Sequence, residues 1–261
     1  LGGWVTMIHW VRPSISRKYV LLACLMALIG LLLVQGTATV EKYPRFEQQV
    51  LAAQIMAESL GVVREARLNR GIPIDIDFDP NQTGLIGDAS TLITTTLGNL
   101  EAKRTSTTPA LAALMVRLFY EAGLEKGSSV AIGASGSFPG LIIATLSACA
   151  AMELEPLLFY SVGASMYGAN VPHFTFIEML RSLQVSGTLP YEVLAVSLGS
   201  NNDRGEGMFF PESQKMMMEI ARSASAQLIF PENNAESVDE RLALYAKFNG
   251  DRQPDIFVNI G

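Results

Sequence analysis

A chain of 261 residues, 49% of them hydrophobic and 17% charged, is long enough to bury a substantial core. Its net charge of −6, with no basic cluster beyond the N-terminus, excludes the electrostatic footprint of a nucleic-acid-binding protein. The cysteines, Cys24 and Cys149, lie far apart in apolar runs, and His9 and His173 are the only histidines, so neither a disulfide framework nor a zinc site is expected. No metal or cofactor is implied.

Met7 is a candidate natural start. Arg12, Arg17 and Lys18 precede an uncharged run from Tyr19 to Val40. At roughly 1.5 Å per residue this run can cross a ~30 Å hydrocarbon core. The flanking positive charge favours a cytoplasmic N-terminus and an exported remainder. Residues 1–40 are therefore expected to be a cytoplasmic stub and an uncleaved anchor. The alternative is a signal peptide cleaved after Gly36-Thr37-Ala38, with a mature start at Thr39. Cys24 is expected to be a free cysteine within the membrane segment.

Residues 41–108 are expected to hold a membrane-proximal helix and connecting segments. Phe46, Val50, Ala53, Ala57, Leu60 and Val63 recur at helical spacing within 45–69, and Gly71-Ile72-Pro73 stops the helix. Ile74–Pro80 alternates as a half-exposed strand would. A calcium loop is the lesser reading there, because Pro80 and Ile86 stand where the turn glycine and the bidentate glutamate belong. Helix is expected over 89–100. Another is expected from Pro109, capped by Thr108.

An α/β domain, residues 109–261, follows. Its first unit runs from Ser128 to Met152: a buried strand through Ile132, a small-residue loop Gly133-Ala134-Ser135-Gly136-Ser137, and an apolar helix starting near Pro139. Three more units follow. They have strands 157–162, 193–198 and 227–230, and helices near 174–183, 211–223 and 238–248. Ser237 and Glu240 form a capping box for the last helix. Ile256–Ile260 is a final strand, which ordinarily leads into another loop and helix, so the sequence is read as C-terminally incomplete. Such alternation implies a three-layer parallel-sheet domain with helices on its faces. The loops Gly133–Gly140, Gly163–Pro172 and Gly199–Phe210 should then converge at one sheet edge.

These loops suggest two chemistries. Ser135 follows a strand and precedes a helix, near the nucleophile-elbow pattern except that Ser137 replaces the last glycine. His173 as base and Asp203 as orienter complete a candidate triad. The other chemistry is anion binding: N–H groups near Gly136, the hydroxyls of Ser135, Ser137 and Ser165, and donors from Asn170, His173, Asn201, Asn202 and Arg204. The loops lack the Walker lysine and the dinucleotide glycine spacing.

The anchor, the string Asp79-Pro80-Asn81-Gln82-Thr83-Gly84-Leu85-Ile86-Gly87, the wording GASGSFPG and SVGASMYGANVPHF within Ala131–Pro172, LGSNNDRGEGM and the FVNIG end resemble the membrane-anchored poly-γ-glutamate system protein family. The resemblance implies a bacterial inner-membrane accessory protein, with its main domain extracytoplasmic, beside the subunits that make and export poly-γ-glutamate. Its partners would be those synthase subunits, the polymer or both. It brings no catalytic residues. A hydrolase or transpeptidase acting on the polymer, and a purely structural subunit, remain the alternatives.

Overall fold

A computed structural model describes residues 16–37 and 41–261. Met7, His9, Arg12 and the Ala38–Thr39 processing position lie outside the described residues. The chain divides into two compact units, Leu1–Tyr43 and Pro44–Gly261. In the first, α1 (Arg17–Thr37) is a single helix with no buried side chain, long and apolar enough to cross a membrane, and it carries Cys24.

The second unit is α/β. Its elements in order are α2 (Phe46–Asn69), α3 (Leu100–Ser106), α4 (Ala110–Glu121), β1 (Ser129–Ser135), α5 (Pro139–Met152), β2 (Glu155–Ser161), α6 (Phe176–Ser186), β3 (Val193–Ser197), α7 (Ser213–Ser223), β4 (Gln227–Leu228), α8 (Asn234–Phe248) and β5 (Ile256–Ile260). The strands form one parallel sheet in the order β4-β3-β2-β1-β5. Residues 44–108 belong to the same unit as 109–261.

The strand order fixes where the helices go. From β1 to β4 the chain steps steadily one way, and α5, α6 and α7 share one core with Val130, Ile132, Tyr160 and Val196. From β4 it returns across the whole sheet to β5, beyond β1. A crossover of unchanged hand running the opposite way must use the opposite face. There α8 sets Tyr245 against Ala131, Phe159 and Ala195 in a small second core. Helix α5 is apolar all round because it lies against β1 and β2 and is also packed by α2, α3 and α4.

Four local expectations are corrected. Residues 74–80 are turns rather than a strand, because their aspartates serve as turn acceptors: Asp75 Oδ1 accepts from Asp77 N at 2.8 Å and buried Asp79 Oδ2 from Gly84 N at 2.8 Å. Residues 89–98 are not helical. This threonine-rich segment runs beside the loop after β2, with Thr95 N donating to Ala164 O at 2.9 Å, and the helix begins only at Leu100, capped by Asn99. Thr108 makes no side-chain cap on α4. Finally, α8 starts one turn earlier than its expected box, with Asn233 Oδ1 capping Glu236 N at 3.0 Å, which leaves Ser237 inside the helix with its hydroxyl free for another partner.

Candidate functional site

The three loops do converge, but they hold one another rather than a vacancy. Strand β1 extends through Ser135, so Gly133 and Ala134 are ladder residues paired with Phe159 and Tyr160 on one side and Asn259 and Ile260 on the other. Gly136 N donates to Ser161 O at 3.0 Å, and Gly136 O accepts from Ala169 N at 2.7 Å. Ser137 N donates to Ser135 Oγ at 3.3 Å, and Ser137 Oγ accepts from Ser165 N at 3.1 Å. A side chain at Gly140 would lie 2.3 Å from Ser106 O, so α3 closes over the start of α5. The expected cradle at 136–140 is filled by protein.

Lys103 completes that closure. It is only 2% exposed, and its Nζ donates to Ser137 O at 2.5 Å and Ser165 Oγ at 2.7 Å while standing 3.5 Å over the Phe138 ring. With no carboxylate beside it, burial pulls its pKa down from 10.5 to about 8. Asn170 is likewise structural. Its Oδ1 accepts from Asp88 N at 2.9 Å, and its Nδ2 donates to Asp88 O at 2.7 Å and Thr94 Oγ1 at 2.9 Å, pinning residues 88–94 to the loop after β2.

The rest of the predicted set separates. His173 is exposed and hydrogen-bonded to neither Ser135 nor Asp203, so the triad is not assembled. Asn202 and Arg204 both pair with Glu206 of their own loop, at 2.9 and 3.1 Å, and Arg204 also lies over Phe230. Asn201 is exposed in that loop and bridges to Glu206 through its backbone. Ser135 alone reaches an open cleft.

That cleft, about 520 Å³, lies between α8 and the C-terminal ends of β1 and β5. Strands β1 and β5 flank the point where the strand order reverses, the place at which open α/β sheets take ligands. Its walls are apolar: Val238 and Leu242 from α8 and Phe257 from β5. Its polar groups are few and come from Ser135, Ser161, Arg241 and Asn259. That composition, mostly apolar with a small number of placed polar groups, is characteristic of small-molecule sites.

Arg241 is held by a network on the ends of β2 and β3. Its Nη2 donates to Asp203 Oδ2 at 2.6 Å and Ser197 Oγ at 2.7 Å, and its Nε to Asp203 Oδ2 at 3.2 Å. Asp203 is fixed in turn by Ser197 Oγ at 2.6 Å, Gly199 N at 3.1 Å and Ser237 Oγ at 2.7 Å. The Ser161 and Ser197 hydroxyls lie 2.8 Å apart beneath the guanidinium. With side-chain exposures of 20% and 13%, the Arg241–Asp203 pair is largely desolvated. Nη1 makes no hydrogen bond within the domain and remains open to solvent. A preset guanidinium edge in an apolar cleft suits a carboxylate.

Asp203 thus belongs to the site, through Arg241 rather than through a histidine. Arg241, Tyr245, Ser161, Ser197, Ser237 and Asn259 escaped sequence reasoning. The available signal was the spacing Ser237, Arg241, Tyr245, which places three polar-headed residues on one face of a helix otherwise read only for its caps. No protein-family model, curated protein or solved structure matches this chain, so its own geometry is the guide to the site.

Proposed function

We propose that this protein is a membrane-anchored accessory protein whose α/β domain binds a carboxylate ligand in the cleft between α8 and β1/β5. The observation that carries this reading is Arg241, fixed by Asp203 and Ser197 with Nη1 unpaired at the sheet's reversal point. The resemblance of its loop strings to poly-γ-glutamate system proteins makes a γ-linked glutamate chain the first ligand to test. It also makes the subunits that build that polymer the natural partners. Arg17 and Lys18 ahead of the apolar run support an anchor in the bacterial inner membrane with the domain on the extracytoplasmic side. Binding is favoured over hydrolysis because Ser135 Oγ is hydrogen-bonded to Ser137 N and to no base.

The test is titration of γ-linked oligoglutamate into the full chain in lipid nanodiscs. The wild type is expected to bind, with affinity falling at least about tenfold in Arg241→Lys, which keeps the charge and loses the fork, and a few-fold in Ser135→Ala. Equal affinity in all three proteins, or no binding at low salt, contradicts the reading.

A further inference from the structure

The serines at the ends of three neighbouring strands stand in one row. Ser135 of β1, Ser161 of β2 and Ser197 of β3 are in register, on strands ~4.8 Å apart, so their side chains share the face that α8 covers. Ser197 is fully buried, whereas Ser161 is half-buried where it lines the cleft. A hydroxyl has one proton to give and two lone pairs to receive with, which fixes the direction of each bond in the row.

The order starts at Asp203, whose carboxylate only accepts. Ser197 Oγ donates its single proton to Asp203 Oδ1 at 2.6 Å. It therefore accepts in its other two contacts, from Arg241 Nη2 at 2.7 Å and from Ser161 Oγ at 2.8 Å. The Ser161 proton is thus spent inward, and Ser161 has only lone pairs to offer the cleft. The sole contact on them is a long approach of Nη2 at 3.3 Å, whose protons already serve Asp203 and Ser197. Ser161 therefore faces the cleft as an acceptor. Its neighbours on either side are donors. Toward β3 stands the free Nη1 of Arg241. Toward β1 stands Ser135 Oγ, which accepts from Ser137 N at 3.3 Å and gives its proton to no partner among the described residues.

From β3 to β1 the cleft presents donor, acceptor, donor, and its ligand must present acceptor, donor, acceptor. Resting on the carboxylate reading of this cleft, we infer that the ligand is an N-acyl α-amino carboxylate: its carboxylate pairs with Arg241 Nη1, its amide N–H donates to Ser161 Oγ, and its acyl oxygen accepts from Ser135 Oγ. The remainder of the ligand lies along Val238, Leu242 and Phe257. Each internal residue of a γ-linked glutamate chain carries this unit, and a plain fatty carboxylate does not. Ser161 is the specificity-determining residue, because an analogue with a lone pair in place of the N–H sets two acceptors against each other.

Two probes of one shape and configuration test this by calorimetry on the full chain in nanodiscs: N-acetylleucine, and O-acetyl-2-hydroxy-4-methylpentanoate, in which an ester oxygen replaces the N–H. The wild type is expected to bind the amide about tenfold tighter. In Ser161→Ala that preference is expected to fall to near equality. A merely supporting serine would weaken both probes together and leave their ratio unchanged. Equal affinity of the two probes for the wild type, or an unchanged preference in Ser161→Ala, overturns the role of Ser161; with both probes still weakened in Arg241→Lys, the carboxylate site stands. Binding of neither probe to the wild type overturns both readings.

Discussion

The two faces of the sheet differ in what covers them and in what they leave open to solvent. On the α5 face, Lys103 and Asn170 are buried beside loops, and each is answered by named partners from another segment. Helices α2 and α4 add a further covering over α5. On the opposite face, α8 is the helix packed on the sheet, Phe257 is 60% exposed and Arg241 Nη1 is unpaired; an unpartnered buried hydroxyl does not separate the faces, since Ser147 and Tyr160 carry one on the α5 side as Tyr245 does here. The glycine-rich loops that look most like a ligand cradle are structural joints. The face that carries the open cleft and the free guanidinium edge is where recognition can occur.

Substitutions should divide along the same line. Asn170→Ala leaves the Asp88 N–H without its partner and takes one hydrogen bond each from the Asp88 C=O, which keeps Tyr167 N, and the Thr94 hydroxyl, which keeps Thr91 N. It is expected to reduce stability by about 3 kcal/mol in urea unfolding while leaving cleft affinity of the folded fraction unchanged. A parallel loss of affinity would break the distinction between the faces. Arg241→Ala is expected to lower stability by about 2 kcal/mol, less than for a fully buried pair because both partners keep some solvent, and to abolish carboxylate binding.

The next effect is a pH dependence confined to the α5 face. The folded pKa of Lys103 is about 8 against an ordinary 10.5. The unfolded chain therefore binds more protons between these values, so this residue's contribution to stability rises with pH through that window and is flat below it. The gain is expected to be about 2 kcal/mol by thermal or urea unfolding at pH 7.5 and 10. Lys103→Met should flatten that rise; an unchanged rise in the variant would assign it to another group.

The sequence carries most of the fold because its strands are short apolar runs punctuated by glycine loops, and its helices follow in strict alternation. It misleads where one residue type serves two purposes. The aspartates of 75–79 alternate with isoleucine as a strand would, yet they act as local acceptors. Ser237 with Glu240 matches a capping box, but Asn233 with Glu236 is the cap, and Ser237 is left to hold Asp203. The site was harder to read. Ser135 and Asp203 stood out as loop-edge residues, whereas Arg241 acquires meaning only once β5 is known to lie beside β1 with α8 across the other face. Nothing in the alternation of strands and helices states that the chain reverses direction after β4.

The most direct test of the central claim is a hydrogen-exchange footprint of the full chain with saturating γ-linked oligoglutamate. Slowed exchange at 238–245 and 257–261, with 136–140 unchanged, is the predicted result. Protection confined to 136–140 and 163–172, with α8 and β5 unaffected, would place the ligand in the loops and contradict it.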